Sequence, residues 1–530
     1  GTVLVAALLV IVALVVVVTA ISMTSMVEKT TTVNHKISNR ALYAADSGVE
    51  AMKQTMSAYA RGKLDSLNAA WPGNGAIISN PSDFFPTGGL TSSNGSDPVY
   101  TGNVTFDFRD SVLAGQSQVY DYNYTITSSG SYNASSRSIV SEGRLRVSAT
   151  RGSFADYLIF TDDHVTPSGH DIWFHTSGYF DGRVHSNGKL RLAGFPTFED
   201  LVTSGIQEAW YNNNNSPVSL DANFNSTIDV PNFYGGFDRA VPTINLPTNS
   251  FSQERASLGG NAADTNPMTD TERRSLLGIG GTGPLTNGVY VPNSGGYLSG
   301  GIYVAGGAER MRLLVDGTDR QVIQIRDRSG NDTEVTIDYV NGTTTVDPPS
   351  ASATTYTGTP SGSLYSNGQI DDLRGPDRSG STVVPALAPE HKMTISSNSD
   401  IIIERDLASK DFDGGESILG LFSSGGNVRI GSGAPDDLQI DAFVMASDNN
   451  KVFTVDNYDT GSYRGQVHLR GGMITNVYGA FGTFDGNGVT TGYGRDFRYD
   501  RRGLIPPYFP LTQRFVTDEP VPVVLAWREQ

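Results

Sequence analysis

Cysteine is absent from the 530 residues. Disulfides, thiolate metal ligands and cysteine nucleophiles are therefore excluded. Charge is scarce at 18%, and basic residues number 38 against 55 acidic ones, for a net charge of -17. Phosphate recognition needs clustered Lys and Arg, so this balance argues against a nucleic-acid partner. It suits a solvated surface. Nor does a Gly-x-Ser-x-Gly elbow, a phosphate-binding loop or a dinucleotide fingerprint sit in a suitable context. The expectation is a chain that is not an enzyme. Proline is missing before Pro72, and charge is missing before Glu28.

Glycine, in contrast, reaches 60, with Ser, Thr and Asn abundant throughout. Gly and Asn tolerate positive φ, so this mix suits short strands joined by tight turns. The length exceeds one ordinary core and predicts a stem with subdomains, or one long solenoid.

The N-terminal stretch is nearly all aliphatic, with Val3, Leu4, Val5, Leu8, Leu9, Val12, Leu14 and Val16 as its large side chains of interest. About 20 apolar residues cross a bilayer core as a helix. Many of these residues are β-branched and weak helix formers in water. In lipid or a packed bundle, the backbone has no better option than helix. The pattern outlasts a cleaved signal. Apolar residues recur at 42, 45, 49, 52 and 56, which is helical spacing. One helix of about 60 residues, roughly 90 Å long, is predicted. It is apolar first, amphipathic later, and ends at Trp71-Pro72-Gly73-Asn74-Gly75.

The apolar start, the Ser/Thr-rich break and the motif Ala41-Leu42-Tyr43-Ala44-Ala45-Asp46-Ser47-Gly48-Val49-Glu50-Ala51 resemble the N-terminal region of PilX-type minor pilins. Those commonly read A-x-x-A-A-E-A-G-x-E; here Asp46-Ser47 replace Glu-Ala. The resemblance implies a type IV pilin-like subunit, processed by a prepilin peptidase and methylated. It implies storage in the bacterial inner membrane and extraction by an assembly platform into an extracellular filament. Partners would be further copies of the chain and other pilins. Two departures stand out. The glutamate at the fifth mature position of many pilins is Val5, or Ala6 in the alternative register, and the proline near position 22 is Ser22.

Residues 99–147 alternate polar and apolar, as in Val104-Thr105-Phe106-Asp107-Phe108 and Tyr120-Asp121-Tyr122-Asn123-Tyr124. Period-two patterning predicts half-buried antiparallel strands. Beyond residue 157, short strands recur beside Asn-Gly and Gly-Gly turns, with starts near 395, 421, 440 and 466. Steps of roughly 20 to 26 residues fit the coils of a β-solenoid. Packed β-sandwich domains are the alternative. A short helix is predicted at 270–277 and an inserted meander at 303–339. The Val184-His185-Ser186-Asn187-Gly188 stretch resembles a domain often found behind PilX-type N-termini.

His164, His170, His175 and His185 lie among Asp162, Asp163, Asp171 and Asp181. Such groups bind divalent metals, but the spacing matches no compact motif, and solvated loop residues with one stacked histidine are the competing reading. Asp221, Asn223, Asn225 and Asp229 place oxygen ligands as a calcium loop does, although Ser226 replaces its glycine and Asn232 its final glutamate. Calcium is the one cofactor considered; a merely polar loop is the other reading. The loop 411–416 is a weaker candidate of the same kind. Tyr493, Phe497, Tyr499, Tyr508 and Phe509 either line a sugar-binding surface or cap a core.

The sequence thus predicts an α+β chain. A pilin-like helix spans 1–64, a linker and antiparallel strands span 65–155, and a β-rich extracellular domain spans 156–530. The expected function is a structural filament subunit. The alternative is a membrane-tethered adhesin or carbohydrate-binding surface protein that does not polymerise. A chain starting near Asp65 is expected to be soluble and rich in β structure.

Overall fold

A computed structural model describes residues 2–70, 76–114, 117–176, 178–213, 216–219, 231–485 and 488–530. A long N-terminal helix precedes a large β-rich region. The chain forms two compact units: residues 1–152 with 513–530, and residues 153–512.

In the first unit, helix α1 runs Thr2–Ala70. Strands β1 (Leu90–Asn94), β2 (Val99–Ala114), β3 (Ser117–Tyr132) and β4 (Ser135–Ser153) form an antiparallel meander. The predicted alternation is borne out along β3, where Tyr120, Tyr122, Tyr124 and Ile126 are buried and Asn123 and Thr127 are exposed. The tyrosines join Phe84, Phe85 and the helix residues Val49, Met52, Met56 and Leu64 in one core. Tyr122 donates from its hydroxyl to the Pro81 carbonyl at 3.0 Å, so its polar end is satisfied. The C-terminal strand Pro522–Glu529 returns to pair with β4. Residues 513–530 thus differ from the expected domain, which ran unbroken to 530.

The second unit is built largely from parallel strands. Strands at 302–305, 363–366, 392–397, 418–423, 443–446 and 463–475 pair in succession, each parallel to the next. The next neighbour of 463–475 is the strand at 159–161, followed by 184–186, 202–204 and 237–239, again all parallel. Spatial order therefore departs from chain order. The chain steps outward from 159 to 239, crosses over, and then winds back from 302 to 475 to meet its own start. A second set of parallel strands follows the same order from 308–315 through 370–374, 401–403 and 428–430 to 453–455. The inserted meander is present as antiparallel strands from 308 to 357, and a helix covers Asp270–Leu276.

The recurring Ser-Asn-Gly turns have a structural reason. Ser366, Ser397, Ser423, Thr161, Ser186 and Ser204 fall in one register column of the sheet. Their hydroxyls are buried and close the turns that follow. Ser366 donates to the Gly368 carbonyl at 2.7 Å, Ser397 to the same carbonyl at 3.0 Å, and Ser423 to Ser399 at 2.8 Å. The same oxygens accept turn amides, as Ser423 does from Gly426 and Ser397 from Ser399. At Ser366, Ser397 and Ser423 a small hydroxyl thus satisfies backbone groups that burial would otherwise strand.

Candidate assembly helix

From Thr2 to Val27, α1 carries no charged side chain. At 1.5 Å per residue this stretch is about 38 Å long, more than a bilayer core of about 30 Å. Val3, Leu4, Val5, Leu8, Leu9, Val12, Leu14 and Val16 are each between 53% and 84% exposed. Burying one such side chain is worth about 1.5–3 kcal/mol, so leaving all of them in water would cost on the order of ten to twenty kcal/mol. The helix also hides its own polar groups. Thr19 donates to the Val15 carbonyl at 2.6 Å and Thr24 to Ala20 at 2.9 Å. Thr30 and Thr31 do likewise to Met26 and Val27 at 2.8 Å. These hydroxyl protons are spent within the helix, which leaves its flanks compatible with lipid or with another apolar helix.

The second half of α1 packs within its own unit. Its buried face is Ala41, Ala44, Ala45, Gly48, Val49, Met52, Met56, Ala60 and Leu64. Small residues come first because the sheet comes close there. A Cβ at Gly130 of β3 would collide with the backbone of Ala41 and Ala45, and one at Gly48 with the Ser128 hydroxyl. The small residues of the Ala-Leu-Tyr-Ala-Ala-Asp-Ser-Gly motif thus have a local job, close helix–sheet packing. Where the helix leaves the sheet, Arg137 donates to the Ser38 hydroxyl at 2.9 and 2.6 Å, and Arg40 lies 4.8 Å above the Tyr132 ring. Gly130→Val is expected to destabilise the first unit by about 3 kcal/mol or more, because rigid backbone cannot yield. Denaturant unfolding of the variant checks this; an unchanged midpoint contradicts it.

The other candidate residues fall elsewhere. Asp221, Asn223, Asn225 and Asp229 lie outside the described residues. The histidines do not converge. His164 is buried, with its ring stacked 4.5 Å from Phe174 and Nδ1 3.3 Å from the Thr161 hydroxyl. His185 is buried on Phe160 and lies between Thr203 and Asn187. His170 and His175 are exposed. Among the described residues, no group of three or more His, Cys, Asp or Glu side chains is placed to hold a metal. In the 411–416 loop, Asp411 accepts from Ser417 at 2.6 Å, and Phe412 is flanked by Arg470 at 3.8 Å and Arg502 at 4.3 Å. Neighbouring carboxylates in the sequence, Asp162-Asp163 and Asp371-Asp372, do not form an acid pair: Asp162 accepts from Asn187, Asp371 from Arg328 and Asp372 from Arg374. Tyr493, Phe497 and Phe509 are buried in the core, so the capping reading holds for them.

Burial also fixes the charge state of three histidines. Desolvation pushes His164 and His391 down to about 3 and His185 down to about 4. Each is neutral in the folded unit at pH 7. An unfolded histidine titrates near 6.5 and takes up a proton that the folded one refuses. Stability is therefore full above about pH 6.5 and falls as pH drops toward 4, by roughly 1.4 kcal/mol per pH unit for each histidine. Thermal unfolding of the second unit between pH 8 and 5 tests the sign. A melting temperature that rises on acidification contradicts it.

The first unit's strands and the start of the second overlap a family match. The model for a domain of unknown function (DUF4900) matches residues 119–206. No curated protein matches the chain. Among solved structures, the chain is similar to the competence-associated pilin ComZ from Thermus thermophilus, at 13% identity and a TM-score of 0.32. That overlay covers 93% of this chain and 97% of the other. At this score it carries no fold assignment. Sequence reasoning missed the return of residues 513–530 to the first unit. Its available signal was the apolar run Val521-Pro522-Val523-Val524-Leu525-Ala526-Trp527, which reads as a strand.

Proposed function

We propose that this chain is a structural subunit of a type IV pilus-like filament, assembled through the apolar half of α1. The observation that carries the reading is the division of that helix. Residues from Ala41 onward bury a face in their own unit, while Val3 to Val27 expose apolar side chains all round. A helix apolar on every side belongs in lipid or in a bundle of other helices. In this reading the inner membrane holds the helix first. After processing by a prepilin peptidase and N-terminal methylation, an assembly platform moves it into a filament of like helices, alone or beside other pilins.

The PilX-type motif supports the assignment, as does the parallel pairing of the second unit, which we read as a β-solenoid displayed outside the cell for adhesion or interaction. A catalytic role is not part of this reading, and calcium in the Asp221–Asp229 loop would be structural. Quantitative mass spectrometry of sheared surface filaments tests the proposal. This chain in stoichiometric amount supports it as a main subunit, and a trace amount beside an abundant small pilin makes it a minor or tip subunit. Its complete absence from filaments overturns the proposal in favour of a tethered adhesin.

A further inference from the structure

We propose that the second unit binds a neutral sugar chain in the cleft between segment 248–254 and the strand ends at Asn367, Asn398, Ser424 and Asp448. The inference rests on the filament reading only for the unit's exposure outside the cell.

The residues that follow the serine column form a column of their own, and its two ends behave differently. At one end it is self-satisfied. Asn187 donates to Asp162 at 2.8 Å, Asn476 donates to the other oxygen of Asp162 at 3.2 Å, and Ile244 bonds Asn187 through its backbone. At the other end a cavity of about 350 Å³ opens over the same column. That volume falls in the range of about 300–1,000 Å³ in which small ligands are held. The exposed Asn398 side chain makes no hydrogen bond among the described residues.

The cavity wall holds an unusual acid. Glu254 is 2% exposed, and its carboxylate receives one hydrogen bond among the described residues, from Arg273 Nε at 2.7 Å. A carboxylate has about four acceptor sites, and buried acceptors left short of donors are costly. The same cavity is lined by the Ser250 and Ser424 hydroxyls, 2.7 Å apart, and by Tyr365, whose hydroxyl accepts from Ser250 at 3.5 Å. Carboxylate acceptors, amide donors and hydroxyls together suit vicinal hydroxyls, which donate and accept at once. An acidic polymer would meet Asp448 and a Glu254 whose lining partner Arg273 is already paired with it, on a chain of net charge -17. A neutral one would not be repelled. The geometry also repeats. Asn367, Asn398 and Ser424 come from successive parallel strands, about 4.8 Å apart, a step close to the repeat of an extended β-linked sugar chain.

The test uses the full chain in a detergent without a sugar headgroup. Calorimetry is run with the β-1,4-linked tetrasaccharides of glucose and of N-acetylglucosamine. Binding of at least one is expected, and Asn398→Ala and Asp448→Ala should each weaken it about tenfold, the loss of one good hydrogen bond. Both positions are exposed, so folding is not at stake. Val12→Asp should leave the affinity unchanged, which separates this site from filament assembly. No heat with either sugar overturns the proposal, as does binding that survives both substitutions.

Discussion

Val12→Asp is expected to abolish surface filaments while both units still fold. Val12 sits inside the uncharged stretch, where the apolar side chains of the helix stay exposed. An aspartate placed in lipid or in a helical core costs several kcal/mol, because no opposing charge lies nearby. Helical assembly multiplies that cost, since each subunit brings the same defect to every neighbour. Val12→Leu keeps volume and polarity close to the original and should assemble normally. Electron microscopy of cell surfaces, with immunoblotting for the chain, reads both variants. Normal filaments from Val12→Asp would place this helix outside the filament core.

The second large effect concerns where the chain can be cut. A chain starting at Glu28 is expected to be soluble with both units folded, because it retains Ala41 to Leu64. A chain starting at Asp65 is expected to lose the first unit. Without the helix, Tyr120, Tyr122, Tyr124 and Ile126 lose the partners that cover them. Removing Val49, Met52, Met56 and Leu64 alone forfeits about 6–12 kcal/mol at about 1.5–3 kcal/mol each. That equals the whole stability of a typical domain, about 5–15 kcal/mol. The large β domain at 156–530 was expected to stand without the stem. The first unit differs, since Ala45, Val49, Met52, Met56, Ala60 and Leu64 of the stem belong to its core. Calorimetry of the two truncations should show two unfolding transitions for the Glu28 start and one for the Asp65 start. Two transitions from the shorter chain would show that the helix is dispensable.

How much was legible follows from the range of each signal. The helix and its division into halves were readable, because period and charge are local properties. The alternation of β2 to β4 was readable for the same reason. The meaning of Gly48 and Ala45 was not, because the positions they approach, Ser128 and Gly130, lie far along the chain. The turns that space the parallel strands announced themselves as Asn-Gly and Gly-Gly pairs. Their order in space did not: nothing local in Met473 or Ile159 records that they are neighbours across a sheet. The histidines misled most easily. Sequence proximity placed four of them in a potential cluster, but His164 and His185 turn inward to stack on Phe174 and Phe160 while His170 and His175 stay outside. The polar cleft at Glu254 was invisible, since it joins residues from several strand ends and two short helices.

A reconstruction of the surface filaments at side-chain resolution tests the account most directly. The account predicts residues Thr2 to Val27 as continuous helix in the filament core, with Val5, Leu9, Val12 and Val16 packed against apolar residues of neighbouring subunits. Filaments whose core is built from another chain, with this helix absent or left in the membrane, would contradict it.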